Sequence, residues 1–273
     1  MELSYLNPYT HLEALAILAI IFLLSIKFRF IDSGGVATSF IVGYLIYVFG
    51  GRIYFLALIT FYLVSVAFTK IRVRRIKEVE NKEDGVRGWR NVIANGLTAT
   101  ITAVASGLST DQKILFAAYL GALSSAFADT LATEIGLFYP RMPRLITNMK
   151  KVKPGTPGAV TCLGYLGGLI GMTTLTLISS TIDKRLTFYE AAIIIYSSGL
   201  VGMTVDSILG ATVQAKYRCR ICSKNTESPT HCGSSAEKIE GVKYINTHTV
   251  NLIATIIGAI IAIILVEVLN LTK

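Results

Sequence analysis

The sequence predicts an all-α, polytopic transmembrane helical bundle of about eight spans, with both termini on the outer side of the membrane. Three observations predict it. Long continuous apolar runs recur along the chain. Hydrophobic residues make up 52% of the 273 residues and charged ones only 16%, and Lys and Arg cluster in alternate loops. A soluble domain carries about 25% charged residues. A span needs about 20 mostly apolar residues, and only helices or closed barrels satisfy their backbone in lipid. The runs are continuous rather than alternating, which selects helices.

The runs fall at 12–31, 34–49, 52–69, 91–108, 113–137, 159–182, 189–212 and 248–270. The first follows an N-terminal stretch without Lys or Arg, so it reads as a retained span rather than a cleaved signal peptide. The second and third are short and split by Gly50-Gly51-Arg52, which predicts a tight helical hairpin. The fourth opens on RGWRNVIANG, and the sixth follows a Pro/Gly-rich loop. No linker marks a second domain. Residues 1–273 read as one integral-membrane domain with cytosolic loops 70–90, 138–158 and 213–247.

Orientation follows from counting. With the N-terminus outside, the inner segments 27–33, 70–90, 138–158 and 213–247 hold 21 of the 26 Lys and Arg residues. The positive-inside rule then puts these segments in the cytosol. The formal charge of +9 is concentrated on that face. It suits anionic headgroups and phosphates. No recognition motif for nucleic acid accompanies it.

Beyond the first two residues of each span, Asp129, Glu134, Asp206 and Glu267 are the acidic residues within the spans. Glu267 lies next to the outer end, where it reaches water. The other three need an account, because an ionised carboxylate at depth costs several kcal/mol without a partner or water. KILFAAYLGALSSAFAD (113–129) and EAAIIIYSSGLVGMTVD (190–206) form a weak repeat that ends both times on Asp. Both spans run inward, so Asp129 and Asp206 share a depth, roughly 12 Å from the inner ends. Small residues on both helices permit close approach. Two facing carboxylates repel unless one is protonated or a cation lies between them. Mg²⁺ suits such a pair together with phosphate oxygens. The alternative for each acid is a structural Arg or Lys partner. Glu134 is about 140° around the helix from Asp129. It joins the metal only if the helix is distorted; otherwise it holds an inner-loop cation.

Two inner loops carry candidate phosphate ligands. Arg87, Arg90, Asn91 and Asn95 stand at the mouth of the fourth span, the two Asn residues one turn apart. KKVKPGTPGAVT (150–161) leads from Lys153 through Gly155, Thr156 and Gly158 into the sixth span. Glycines let backbone N–H groups approach an anion, and a helix N-terminus favours negative charge. The alternative is an ordinary Pro/Gly helix start. At the last span, Asn246 reads as a cap and Asn251, one turn deeper, as a lining residue. The loop CRICSKNTESPTHC offers Cys219, Cys222, His231 and Cys232 in a pattern like a small zinc knuckle. A metal-free turn is the other reading, since the spacer is short and His231 and Cys232 are adjacent.

ADTLATEIG, PGTPGAV, DSILGATVQ, the C-x₂-C…HC loop and a VN segment occur in this order. Together they resemble the integral-membrane family that contains the plastid phytyl-phosphate kinase of vitamin E synthesis, from about Gly34 to Ala254. The resemblance implies a nucleotide-dependent kinase, with CTP among the candidate donors, that converts a prenyl or phytyl monophosphate to the diphosphate. It implies metal-binding roles for Asp129, Asp206 and Glu134. It implies nucleotide or phosphate roles for Arg87, Arg90, Asn91, Asn95, Lys153, Gly155, Thr156, Gly158 and Asn251. The chain departs at INTHTVN, where Thr247 and His248 stand in place of an expected acid. The expected cofactors are Mg²⁺ and, in the cysteine loop, structural Zn²⁺. The expected partners are a lipid phosphate, a nucleoside triphosphate and membrane lipids. The alternatives are a CTP-dependent lipid-alcohol kinase, a cytidylyltransferase or a secondary transporter. The sequence leaves oligomeric state open.

Overall fold

One helix, α5 (Gln112–Gly136), is buried on all sides in the computed structural model, and the rest of the chain packs around it. The structure describes residues 4–28, 32–76, 88–182 and 185–269. Phe116 to Ala128 is an unbroken buried stretch. Around α5 stand α3 (Arg52–Arg75), α4 (Trp89–Leu108), α6 (Cys162–Ile182), α7 (Phe188–Thr212) and α8 (Thr247–Val268). Farther out, α1 (Pro8–Phe28) packs on α2 (Ser33–Leu45), which packs on α4. Among the described residues, seven helices are long and apolar enough to cross a membrane. The remaining helix, α4, carries Arg90, Asn91 and Asn95 in its first two turns.

The helix ends follow the predicted spans closely, with three informative departures. First, α2 runs into a π-helical turn, Ile46–Gly50, and Gly51 reverses the chain at φ 85°. The turn is tight, as expected, but α2 goes on to pack against α1 and α4 while α3 packs on α5 and α6. Second, α3 continues past residue 69 to Arg75, with Arg72, Arg74 and Arg75 in a last turn whose dipole favours cations. Third, α6 starts at Cys162, not 159. Ala159–Val160 (β2) pairs instead with Arg144–Leu145 (β1), and Thr161 Oγ1 accepts the Gly164 N–H at 2.9 Å to cap the helix.

The internal repeat has a direct structural meaning. α5 and α7 run parallel, and equivalent residues of the two repeats meet along them. Lys113 pairs with Glu190 at 3.0 Å at the outer end. Halfway down, Gly202 leaves no room for a Cβ against Ser125, and Gly199 is as tight against Ser124. Ser124 Oγ donates to the Ile195 carbonyl at 2.7 Å. At the inner end stand Asp129 and Asp206. α8 packs on both α5 and α7, and a Cβ on Gly258 would lie 2.5 Å from the Gly121 carbonyl oxygen and 2.9 Å from the Ser125 Cβ. Small side chains thus let three backbones approach closely, which packing in lipid favours.

Glu134 takes the second of its two sequence readings. Its Oε2 accepts from Arg72 Nε at 2.6 Å and its Oε1 from the Thr69 hydroxyl at 2.6 Å. Both partners lie on α3, and the ion pair is buried. With both carboxylate oxygens engaged, Glu134 ties α3 to α5. The 140° offset from Asp129 is the reason: an undistorted helix sends the two side chains to different neighbours.

Two packing predictions follow. Arg72→Met leaves Glu134 buried without its cation and should lower stability by about 3–5 kcal/mol, whereas Arg72→Met with Glu134→Leu should recover most of that. Unfolding in mixed detergent reads both. Gly202→Val should cost about 1–3 kcal/mol by forcing α7 off α5; an unchanged melting temperature would contradict the close packing.

Candidate active-site cleft

A cleft of about 790 Å³ opens at the end of the bundle where the basic loops lie. The C-terminal ends of α3, α5 and α7 and the N-terminal ends of α4, α6 and α8 line it, together with Asp32, the cap of α2. Three helix N-termini therefore face the cleft with partial positive charge, which favours an anion there.

Asp129 and Asp206 both line the cleft and are half-buried. They feel each other's charge, and Asp206 also feels that of Glu227. Asn251, one turn into α8, stands beside them. With its amide oriented to donate, its nitrogen lies 3.2 Å from Asp206 Oδ2 and 2.7 Å from the Thr247 carbonyl oxygen. In the other amide orientation the nitrogen instead donates to Asn95 Oδ1 at 3.4 Å, and Asn95 donates to the Asn91 carbonyl at 3.0 Å. Asn251 thus lies between Asn95 and Asp206 and can donate to one or the other. His248 also lines the cleft, and its Nδ1 is buried without a hydrogen-bond partner.

The glycine loop wraps the opposite wall. Gly158 has φ 77°, and a Cβ there would lie 2.5 Å from the Ala211 nitrogen and the Ser207 carbonyl oxygen, so only glycine lets the loop sit on α7. Gly155 has φ 80° and is open to the cleft side. Thr156 donates both its N–H and its hydroxyl to the Lys153 carbonyl, at 3.2 and 2.7 Å. Gly155, Thr156 and Gly158 line the cleft; Lys153 does not, and its side chain is exposed. Lys153 thus stands outside the cleft lining, and its carbonyl accepts the two Thr156 hydrogen bonds. Arg90 does line the cleft, its guanidinium 5.3 Å from the Trp89 ring centre. Arg87 lies outside the described residues.

Among the lining residues that the sequence did not single out are Arg141, Gln214 and Glu227. Arg141 is an isolated cation in a Pro-flanked loop. Gln214 follows α7. Glu227 sits in the cysteine loop, and only the loop's own fold brings it to the cleft. It stands in the open mouth yet is ringed by protein, and burial raises its carboxyl above the ordinary range despite hydrogen bonds to Gln214 and Thr247.

That fold is a small β unit. Lys216–Arg218 (β3) pairs with Asn225–Thr226 (β4) and Glu237–Glu240 (β7), and Thr230–His231 (β5) pairs with Ser234–Ser235 (β6). The turns after β3 and β5 bring Cys219, Cys222, His231 and Cys232 together, their ligand atoms all within 4.8 Å of one another. His231 Nδ1 lies 3.5 Å from Cys222 Sγ and 3.2 Å from Cys232 Sγ. Cys232 adopts φ 53°, and this left-handed turn lets two adjacent side chains reach one centre. Backbone N–H groups at Cys222 and Ile221 hold the Cys219 thiol down at about 6. The neighbouring Cys222 and Cys219 sulfurs push Cys232 up to about 11.

A second, apolar groove runs between α1, α2, α3 and α4. Leu18, Phe22, Phe40, Phe55 and Phe61 are among its lining residues. It meets the polar cleft at Asn91 and Asn95, which line both.

Comparisons with known proteins agree with this picture of a membrane bundle. Protein PGR of Arabidopsis thaliana is 30% identical over 89% of this chain and 92% of its own length. Protein VTE6, chloroplastic, of the same plant is 26% identical over 86% of this chain. An uncharacterized membrane protein of Methanocaldococcus jannaschii is 29% identical over 58% of this chain. The chain spans 65% of the length of each of these last two. No solved structure matches it. Residues 16–259 match the model described as integral membrane protein DUF92, and the chain belongs to that family.

Proposed function

We propose that the protein is a Mg²⁺-dependent kinase that transfers a phosphoryl group from a nucleoside triphosphate, with CTP the first donor to try, to a polyisoprenyl or phytyl monophosphate. The observation that carries this reading is the junction of two unlike spaces. A polar cleft with paired carboxylates meets an apolar groove at Asn91 and Asn95. A lipid phosphate has the same division. The groove between α1 and α4, about 110 Å³, would take only the first carbons of its tail, the rest lying in lipid, and its phosphate would then reach the cleft beside Asn95. The ordered sequence motifs support the same chemistry. The positive-inside count supports a cytosolic cleft, where nucleotide is available.

The residues present fit Mg²⁺. Asp129 and Asp206 would hold it, and the cleft has room for water and phosphate oxygens. When bound, the ion supplies charge neutralisation on the nucleotide phosphates. The chain's own groups do the rest. Arg90 and Arg141 pair with phosphate oxygens. The glycine loop, seated on α7 by Gly158, offers its backbone at close range. Asn251 holds the Asp206 carboxylate in place through its amide. The acceptor phosphate is already nucleophilic near neutral pH, its second pKa being about 6. No general base is needed. A structural Zn²⁺ in the Cys219–Cys222–His231–Cys232 centre belongs to the same reading, since three sulfurs and one imidazole nitrogen suit a tetrahedral ion.

Purified protein given radiolabelled nucleotide and geranylgeranyl or phytyl phosphate should release the labelled diphosphate. Asp129→Asn and Asp206→Asn should each lower kcat about 100-fold or more, the scale of losing a group that stabilises developing charge. A monophosphate or CDP-lipid product would assign lipid-alcohol kinase or cytidylyltransferase activity instead. Equal rates for wild type and Asp129→Asn would sink the metal assignment.

The cations should separate by position. Arg141→Ala should raise KM for nucleotide or lipid phosphate about tenfold, as for one lost charged hydrogen bond. Lys153→Ala should change KM by less than about twofold, because a surface charge is screened. The reverse order would contradict the cleft geometry.

A further inference from the structure

The cysteine–histidine centre and the cleft are two ends of one loop. The chain leaves α7, forms β3, turns through Cys219 and Cys222 into β4, and reaches Glu227 one residue later. It then returns through β5 to His231 and Cys232. Glu227 is therefore the tip between two turns that converge on the same four donors. Its carboxylate faces the cleft, hydrogen-bonded to Gln214 at the end of α7 and Thr247 at the start of α8, and close enough to Asp206 to act on its charge.

Short strands and two side-chain hydrogen bonds hold this tip. β4, β5 and β6 have two residues each, and Cys222, Ser228 and Pro229 are exposed. The donor atoms, by contrast, are spaced for an ion. Sulfur and nitrogen ligands of tetrahedral Zn²⁺, at bond lengths of about 2.3 and 2.0 Å, stand about 3.6 Å apart. The two Sγ to Nδ1 distances are 3.5 and 3.2 Å. The Ile221 N–H points at Cys219 Sγ from 3.4 Å, as suits a thiolate ligand. The left-handed backbone of Cys232 is strained for a residue with a side chain, and a bond to an ion would offset that strain.

We propose that the Cys219–Cys222–His231–Cys232 centre is a zinc clasp whose task is to hold Glu227 in the cleft, where Glu227 supplies a third carboxylate beside Asp129 and Asp206. This rests on the kinase reading only in so far as the cleft binds a divalent cation. Zinc binding displaces the thiol protons to solvent, and no redox change is involved. Losing zinc to a chelator would free the tip and weaken the cation site without touching Asp129 or Asp206; the zinc centre itself stands up to about 16 Å of extended chain from Glu227, at about 3.3 Å per residue from Cys222.

Two measurements test it on the full-length protein in detergent. Elemental analysis should find one zinc per chain, retained in Glu227→Gln and lost in Cys222→Ser. Mn²⁺ alone, without nucleotide or lipid, should bind the zinc-loaded wild type as read by electron paramagnetic resonance. Stripping zinc should weaken Mn²⁺ binding about tenfold. Glu227→Gln should weaken it to the same degree and make it indifferent to zinc. Absence of zinc, absence of Mn²⁺ binding to the wild type, or a zinc effect that persists undiminished in Glu227→Gln would each overturn the proposal. A merely structural clasp would give the last result. If the Mn²⁺ pattern holds while no phosphoryl transfer is seen, the clasp stands and the kinase reading fails.

Discussion

The close parallel packing of α5 against α7 is the constraint on which the rest of the structure depends. Gly199 and Gly202 meet Ser124 and Ser125 with no space for larger side chains. This contact sets the axial register of the two helices. One consequence lies at the outer end, where Lys113 meets Glu190. The other lies at the inner end, where Asp129 and Asp206 are held near each other. Two like charges would not choose that arrangement alone. The packing above them imposes it. α8 adds a third wall through Gly121 and Gly258, and brings Asn251 to Asp206.

Charge then divides between support and site. Glu134 and Arg72 neutralise each other inside the bundle, and so hold α3 against α5. Asp129 and Asp206 have no such cation among the contacts described, only Asn251 as a donor to Asp206. Removing one partner from a buried pair leaves an uncompensated charge, so the first pair is structural glue. The second pair lies open to a cleft faced by three helix N-termini and by Arg90 and Arg141. Glu134 lines the same cleft as the two aspartates, so the acids differ in their partners rather than in the space they face.

Much of the fold was legible because lipid makes hydropathy informative. Runs such as 113–137 and 189–212 end within a residue of α5 and α7. The repeat read from 113–129 and 190–206 anticipated the facing acids, and the asparagines of α4 and α8 proved to be neighbours. What was not legible depends on contacts between loops. Glu134 needed the position of Arg72, which lay beyond the predicted end of the third span. Lys153 looked suited to phosphate by charge, yet the glycine loop directs it elsewhere. Arg141 and Glu227 lie in irregular segments where no period carries information. Cys232 illustrates the limit well: adjacency to His231 argued against two ligands, and one left-handed residue resolves it.

The central claim is that Asp129 and Asp206 share a divalent cation at the inner end of the α5–α7 contact. Its most direct test is an anomalous difference map from crystals of the full-length protein soaked in Mn²⁺. A peak within about 2.0–2.6 Å of a carboxylate oxygen from each aspartate is the expected result. An ordered map with no peak between them, or with manganese bound only at Glu134 or the cysteine centre, would contradict the account.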